Sequence, residues 1–420
     1  MKKWFMLMIL FAGQVSAQTN NPLTLSQAYD LAQKNYPAIK QKELVKQTEN
    51  LTIENFQKGY LPQFTVSGQA TYQSEVTGLN ISFAGINIQP PSKDQYKAIA
   101  DLNQTIYDGG VIRQQKKATV LNADVQQQQV EVELYQVKDR INQLYLGVLF
   151  IDEQIKQTDL VKQDLQVGLK QVQAQVNNGV AFKSNLNVLK AQLLQTDQRV
   201  IELRATRKGL IQTLALFINQ QLDESVVLEK PLINLAADST ISRPELKLFT
   251  NQSELIHQQN KLIDAKNLPK ASLFAQGGYG RPGLNLLKNE FDWFYIAGVR
   301  FNWSLGGLYT SKREKQLNDV NRRIVDVQRQ TFLLNTSTAL RQQESEIDKY
   351  KQLVATDQAI IDLRVQVKQA AVAQLENGVI TADDYLREVN EEDQARQSLI
   401  THEVQLLQAE INYQTTLGKQ

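Results

Sequence analysis

The chain reads as a mostly α-helical, internally duplicated protein in which long coiled-coil helices carry four β-strands. Three observations lead there. Landmarks recur in one order and at near-constant offset: Tyr36-Pro37 and Arg243-Pro244, Leu61-Pro62 and Leu268-Pro269, a pair of alternating segments, Gly109-Gly110 and Gly306-Gly307, then Asn178-Gly179-Val180 and Asn377-Gly378-Val379. A repeat of about 200 residues means two domain-sized halves rather than a solenoid of short units. Four segments alternate apolar and polar residues with period two, and two proline-free helical stretches each run for some 65 residues, about 100 Å of helix.

Residues 1–17 carry Lys2 and Lys3, an apolar core and Val15-Ser16-Ala17 before Gln18, the pattern of a secretory signal peptide. Removing those two lysines from the formal charge of +2 leaves the mature chain neutral, so nothing draws it to nucleic acid. Cysteine is absent, which excludes a disulfide framework and thiolate metal sites. No stretch reaches the run of roughly 20 apolar residues that a membrane helix needs.

The first repeat, 18–219, is expected to hold a helix from Pro37 to about Lys58, a β-hairpin over 63–107, a long helix over 111–176 and a helix over 184–219. The second, 243–420, repeats this with a helix from Pro244, a hairpin over 271–304, a long helix over 308–375 and a helix over 382–416. Residues 220–242, with Val226-Val227-Leu228 and Pro231, join the halves as an equatorial belt. Each long helix reverses at its Asn-Gly-Val, and Ser184 and Thr381 suit the N-caps of the helices that follow. Rods this long and polar must pack as coiled coils with narrow apolar seams. The glycine pairs are expected at tight strand-to-helix bends where only glycine fits.

In the strands, Phe64, Val66, Gly68, Ala70 and Tyr72 share one face, as do Trp293, Tyr295, Ala297, Val299, Phe301 and Trp303. Alternation alone fits an antiparallel sheet in a soluble domain as well as a membrane barrel. Lys97, Asp101 and Arg300 on the polar faces, and aromatics toward the strand ends, favour the barrel. Four strands cannot close one, so the chain would have to be an oligomer, two copies giving eight strands and three giving twelve. The hairpin loops, Thr77 to Ser92 and Arg281 to Asp292, would then face outward.

Chemistry-bearing motifs are few. His257 and His402 stand apart from carboxylates at ligand spacing, and the glycine pairs lack the Lys-Ser/Thr of a phosphate loop. Arg113, Lys116 and Lys117 after the first pair, and Lys312, Arg313 and Lys315 after the second, place bases at helix N-termini that disfavour them. That repeated placement reads either as a solvated face or as contact with anionic lipid head groups.

Leu61-Pro62 and Leu268-Pro269 before strands, Tyr107-Asp108-Gly109-Gly110 and Ser304-Leu305-Gly306-Gly307 between strand and helix, and the two glycine turns with their paired helices are where the sequence resembles the TolC-like outer-membrane efflux proteins, over essentially the whole mature chain. The resemblance implies a homotrimer with a twelve-stranded barrel in the outer membrane of a Gram-negative bacterium and an α-helical tunnel in the periplasm. It implies docking, through the tip turns Asn178, Gly179, Val180, Asn377, Gly378 and Val379, onto a periplasmic adaptor that links it to an inner-membrane RND or ABC-type transporter. It also implies a periplasmic aperture at Asp384, Asp383, Thr381, Arg387 and Asn185, with Asp384 matching a ring acid, although Asp383 and Asp384 read equally as solvated first-turn acids that stabilise a helix N-terminus. Arg387 and Asn185 stand where acids are common, Ile380 where a latch arginine is common, and Val176 and Leu375 where aromatics are typical. The expectation is a passive exit duct in contact with outer-membrane lipid, without active site, cofactor or nucleic-acid partner. The rivals are a periplasmic adaptor, which would flank one hairpin with lipoyl-like and barrel domains, and a secreted coiled-coil structural protein.

Overall fold

The structure, a computed structural model, describes residues 22–76, 90–233, 240–286 and 288–419. The signal segment, most of the loop expected from Thr77 to Ser92 and residues 234–239 of the joining segment lie outside the described residues. The elements run α1 (Leu25–Asn35), α2 (Ile39–Lys58), β1 (Gln63–Tyr72), β2 (Asp94–Tyr107), α3 (Val111–Asn177), α4 (Lys183–Ile218), α5 (Pro244–Lys266), β3 (Lys270–Arg281), β4 (Asp292–Asn302), α6 (Gly306–Glu376) and α7 (Ala382–Leu417). Helix α1 has no counterpart in the sequence reading. Its signal was legible in Thr24-Leu25-Ser26-Gln27: the Thr24 hydroxyl accepts from the Gln27 N–H and the Gln27 amide oxygen accepts from the Thr24 N–H, a capping box.

The chain forms two compact units that cut across the sequence repeats, each drawing on both. One unit comprises Pro37–Tyr135 and Ser242–Ser337. Among the described residues it contains one antiparallel sheet in the order β1-β2-β3-β4, so the two hairpins join through β2 and β3. The register places Phe64, Leu102, Ala275 and Ala297 in one row, Val66, Ala100, Gly277 and Tyr295 in the next, and Gly68, Ala98, Tyr279 and Trp293 in a third. The apolar faces of all four strands thereby become one continuous face. It is uncovered, with Val66 and Val299 each 69% and Tyr295 83% exposed. A bulge between Thr105 and Tyr107 turns Tyr107 onto this face, opposite Ala271.

The other face is less uniformly polar than the sequence suggested. It carries Asp101, which accepts from the Gln276 amide at 2.8 Å, and Arg300, but also Phe274 and Phe294. Those rings pair directly across from Gly298 and Gly278, where a Cβ would meet them at 3.1 and 2.6 Å. Each ring fills the space its glycine leaves, a cross-strand exchange that simple alternation does not reveal.

The second unit comprises the described residues up to Tyr36, between Gln136 and Ile241, and from Thr338 onward. One cluster gathers α1, α3, α4 and α7 around Tyr145, which is fully buried with its hydroxyl 2.6 Å from the carbonyls of Leu23 and Glu229. Leu228 bridges to Leu23, which ties the joining segment to this core. A separate cluster packs Val161, Leu165, Val172, Leu186, Leu189, Leu375, Tyr385 and Val389 from α3, α4, α6 and α7. Along α3 the buried positions Val137, Ile141, Leu144, Val148 and Ile151 alternate spacings of four and three as in a coiled coil, but Lys138, Asn142, Tyr145 and Leu146 are buried beside them, so the covered face is wider here than the narrow seam expected.

Candidate functional site

Both helix reversals use one geometry. The Gly179 N–H donates to Val176 O and the Val180 N–H to Gln175 O; the Gly378 N–H donates to Leu375 O and the Val379 N–H to Gln374 O. This is a Schellman motif, and its C′ residue must adopt the left-handed conformation, as Gly179 at φ +77° and Gly378 at φ +70° do. Nothing crowds either glycine, so conformation alone demands it. The turns leave Val180, Phe182 and Val379 at least 70% exposed.

The helices that leave the turns begin differently. Thr381 caps α7: its hydroxyl accepts from the Asp384 N–H at 3.2 Å, and the Asp384 carboxylate accepts from the Thr381 N–H at 3.1 Å and hydroxyl at 2.8 Å. Those bonds, with Arg387 at 3.8 Å, hold the Asp384 carboxyl below its ordinary range. Ser184 does not cap α4, contrary to expectation. That helix begins at Lys183 with Phe182 in the cap position, where no hydroxyl is available, and the Asn185 N–H is met by the Phe182 carbonyl instead. Among the described residues, Thr381, Asp384 and Arg387 come together, Asp383 is exposed without an ion pair, and no hydrogen bond joins Asn185 to them.

Beneath the α7 cap lies a charged network that sequence reading missed. Lys368 on α6 reaches Asp164 on α3 and Glu392 on α7, each at 2.8 Å, and Arg396 reaches Glu392 at 2.7 Å. A separate ion pair joins Arg364 on α6 to Glu391 on α7 at 2.8 Å. Burial alone would raise the Glu392 pKa and lower that of Lys368. The bonds that Lys368 and Arg396 make to Glu392, and those that Asp164 and Glu392 make to Lys368, outweigh it, so Glu392 sits below its ordinary value and Lys368 above. Tyr385 closes the network from the core side. Its ring packs over Gly168, where a Cβ would lie 2.5 Å away, and its hydroxyl donates to the Asp164 carbonyl at 2.9 Å. Burial, with Asp164 and Glu392 nearby, pushes its pKa up. An isolated glycine inside a helical pattern was the available signal for this close approach.

The glycine pairs divide. Gly109 and Gly110 are left-handed, and a Cβ on Gly109 would meet Ala265 O at 2.7 Å. Gly306 and Gly307 are instead the first residues of α6, so the bend lies before them. A Cβ on Gly307 would press on the amide end of the Asn267 side chain, whereas nothing restricts Gly306. The isolation expected of His402 is also corrected, since folding brings Asp357 within 2.5 Å of its Nδ1. Among the described residues no three His, Cys, Asp or Glu side chains gather to hold a metal ion.

Residues 28–219 match the family model described as outer membrane efflux protein. Over that stretch the chain is similar to the outer membrane efflux proteins. Over 94% of the chain the fold is similar to three solved channels. CusC, studied for its transmembrane channel formation, is 14% identical, with 92% of its chain covered and a TM-score of 0.67. The outer-membrane channel OprN is 13% identical, with 90% covered and a TM-score of 0.68. The CmeC outer membrane channel of Campylobacter jejuni is 14% identical, with 85% covered and a TM-score of 0.64. No curated protein matches the sequence. The fold is thus the TolC-like one expected, and in this efflux-protein fold the hairpins share one sheet, unlike the separate β-domains of an adaptor. No described helix is long and apolar enough to cross a membrane, which says nothing of a β-barrel.

Proposed function

We propose that the protein is the outer-membrane exit duct of a tripartite efflux or type I secretion assembly, a homotrimer that passively conducts cargo handed on by a periplasmic adaptor and an inner-membrane RND or ABC-type transporter. The observation that carries this reading is the sheet. Its apolar face is continuous and uncovered, and among the described residues β1 and β4 each leave one edge unpaired. Unpaired strand edges are untenable in lipid, and four strands are too few to close. Three copies joined edge to edge give a closed barrel of twelve. From Trp293 to Trp303, at about 3.3 Å per residue and a tilt of about 40°, the face spans about 25 Å, the height of an outer-membrane apolar band.

Helix α6 supports association as well. Leu317, Val320, Ile324, Val327 and Leu334 follow coiled-coil spacing yet are each at least 50% exposed, a seam that a neighbouring copy would cover. In this reading the tip turns, with exposed Val180 and Val379, meet the adaptor, and Asp384, Asp383, Thr381, Arg387 and Asn185 line the periplasmic aperture. Three Asp384 around one axis would attract cations, with each charge tempered by Arg387. The network of Lys368, Asp164 and Glu392 would hold α7 against α3 and α6 and set how readily that end opens.

Cell fractionation followed by detergent extraction and mass determination tests the proposal. An outer-membrane trimer supports it. A protein soluble without detergent as a monomer or dimer overturns it and returns the strands to an ordinary sheet.

A further inference from the structure

The junctions between strands and helices form a contiguous row. A Cβ on Gly59 would touch Ile112 at 3.0 Å, one on Gly109 would touch Leu268 at 3.0 Å, and the Trp303 indole N–H donates to Asn267 O at 3.0 Å. The ends of α2, α3, α5 and α6 therefore lie side by side. Residues 58–61, 108–117, 264–270 and 304–315 make up this row, and they hold nine Lys and Arg against three Asp and Glu. A surplus of six positive charges sits here in a mature chain that is neutral overall. Two helix N-termini and two C-termini meet at the row, so their dipoles offset one another and the surplus belongs to the side chains.

The three acids are already engaged. Asp108 is buried and accepts from the N–H groups of Gly110 at 2.8 Å and Ile112 at 2.6 Å. Asp264 pairs with Lys315, and Glu314 accepts from the Thr310 hydroxyl at 2.7 Å. Arg113, Lys117, Lys266, Lys270, Lys312 and Arg313 are exposed, and among the described residues none of them has an ion-pair partner. Interleaved with them are the exposed rings of Tyr60, Tyr107, Trp303 and Tyr309, the last 84% exposed, and the row borders the uncovered apolar sheet face directly. Apolar surface, then aromatic rings, then cations is the order met on passing from acyl chains through the interface to head groups.

We propose that this row is a binding collar for anionic phospholipid head groups, which the protein selects over zwitterionic ones. The proposal rests on the barrel reading, and the lipid is specified by chemistry: only an amphiphile with a negatively charged head matches an apolar face and an unneutralised cationic row at one boundary. Phosphates of the lipid would lie against Lys117, Lys312 and Arg313, with the rings seated among the glycerol groups.

The test uses the full chain reconstituted into lipid nanodiscs that contain spin-labelled phosphatidylglycerol or phosphatidylcholine, with association to the protein read by electron paramagnetic resonance. A cation close to an anionic surface contributes about 1 kcal/mol, a factor of about five, so phosphatidylglycerol should associate at least about fivefold more strongly. The preference should shrink at high salt and survive added inorganic phosphate at constant ionic strength. It should vanish in Lys117→Gln/Lys312→Gln/Arg313→Gln and persist in the control Lys183→Gln/Lys190→Gln. Equal association of the two lipids, a preference that the triple variant retains, or one abolished by inorganic phosphate overturns the collar. Failure of the wild-type chain to enter nanodiscs at all refutes the barrel reading beneath it.

Discussion

Replacing Lys368 with Met should loosen α7 without unfolding the chain. The ammonium lies 2.8 Å from both Asp164 and Glu392, and the Glu392 side chain is only 5% exposed. Removing one member of a buried pair costs about 3 to 5 kcal/mol, because the remaining charge is left unsolvated. Two features place this case at the lower end: Glu392 keeps Arg396 at 2.7 Å, and Asp164 is 36% exposed and can rehydrate. A loss of about 3 kcal/mol is about a hundredfold in the local opening equilibrium, read as faster amide hydrogen exchange in the first turns of α7. Exchange is the suitable assay because melting of a detergent-solubilised oligomer is often irreversible. Adding Glu392→Leu to Lys368→Met should recover most of the protection, since an apolar replacement removes the stranded charge. The same assay has a defined pH dependence. Glu392 is depressed from 4.5, so its contribution is full above 4.5 and is lost as pH falls through its lower folded value. Lys368 is raised from 10.5, so its contribution is full below 10.5 and is lost as pH rises through its higher folded value. Protection of the α7 amides, taken relative to intrinsic exchange at each pH, should therefore be steady between those limits and fall in acid. A change of less than about threefold in Lys368→Met, or protection that declines near neutrality, refutes this account.

Gly109→Ala should destabilise by more than about 1 kcal/mol, because it combines a left-handed backbone with a Cβ 2.7 Å from Ala265 O, whereas Gly306→Ala should be neutral in folded yield. Val299→Arg on the uncovered face should impair membrane insertion by about 2 to 4 kcal/mol, while Thr65→Arg on the opposite face, beside Asp101, should insert normally when both are scored by membrane extraction. Asp384→Ala should weaken block of single-channel current by multivalent cations, and unchanged block would leave that carboxylate with its capping role alone.

Much of the architecture is legible in the sequence because it follows from local rules. A period of two yields the strands, long proline-free stretches yield the helices, and Asn-Gly-Val yields both reversals, since a left-handed C′ residue is a local demand. The cap at Thr381 is equally local. Its failure at Ser184 arises because the duplicated turn kept its backbone while the matching cap position became Phe182. The glycine pairs look equivalent in sequence, yet only Gly109 and Gly110 are left-handed, a difference set by where each following helix begins.

By itself the sequence determined the fold class, the alternation and the turns, all of which depend on neighbours a few positions away. Only the tertiary structure decided that four apolar strand faces merge into one, that Phe274 and Phe294 lie over glycines on the other face, and that Asp164, Lys368 and Glu392 meet, because each joins residues far apart in the chain. Such pairings depend on strand register and helix packing, and no periodicity within a single element encodes them.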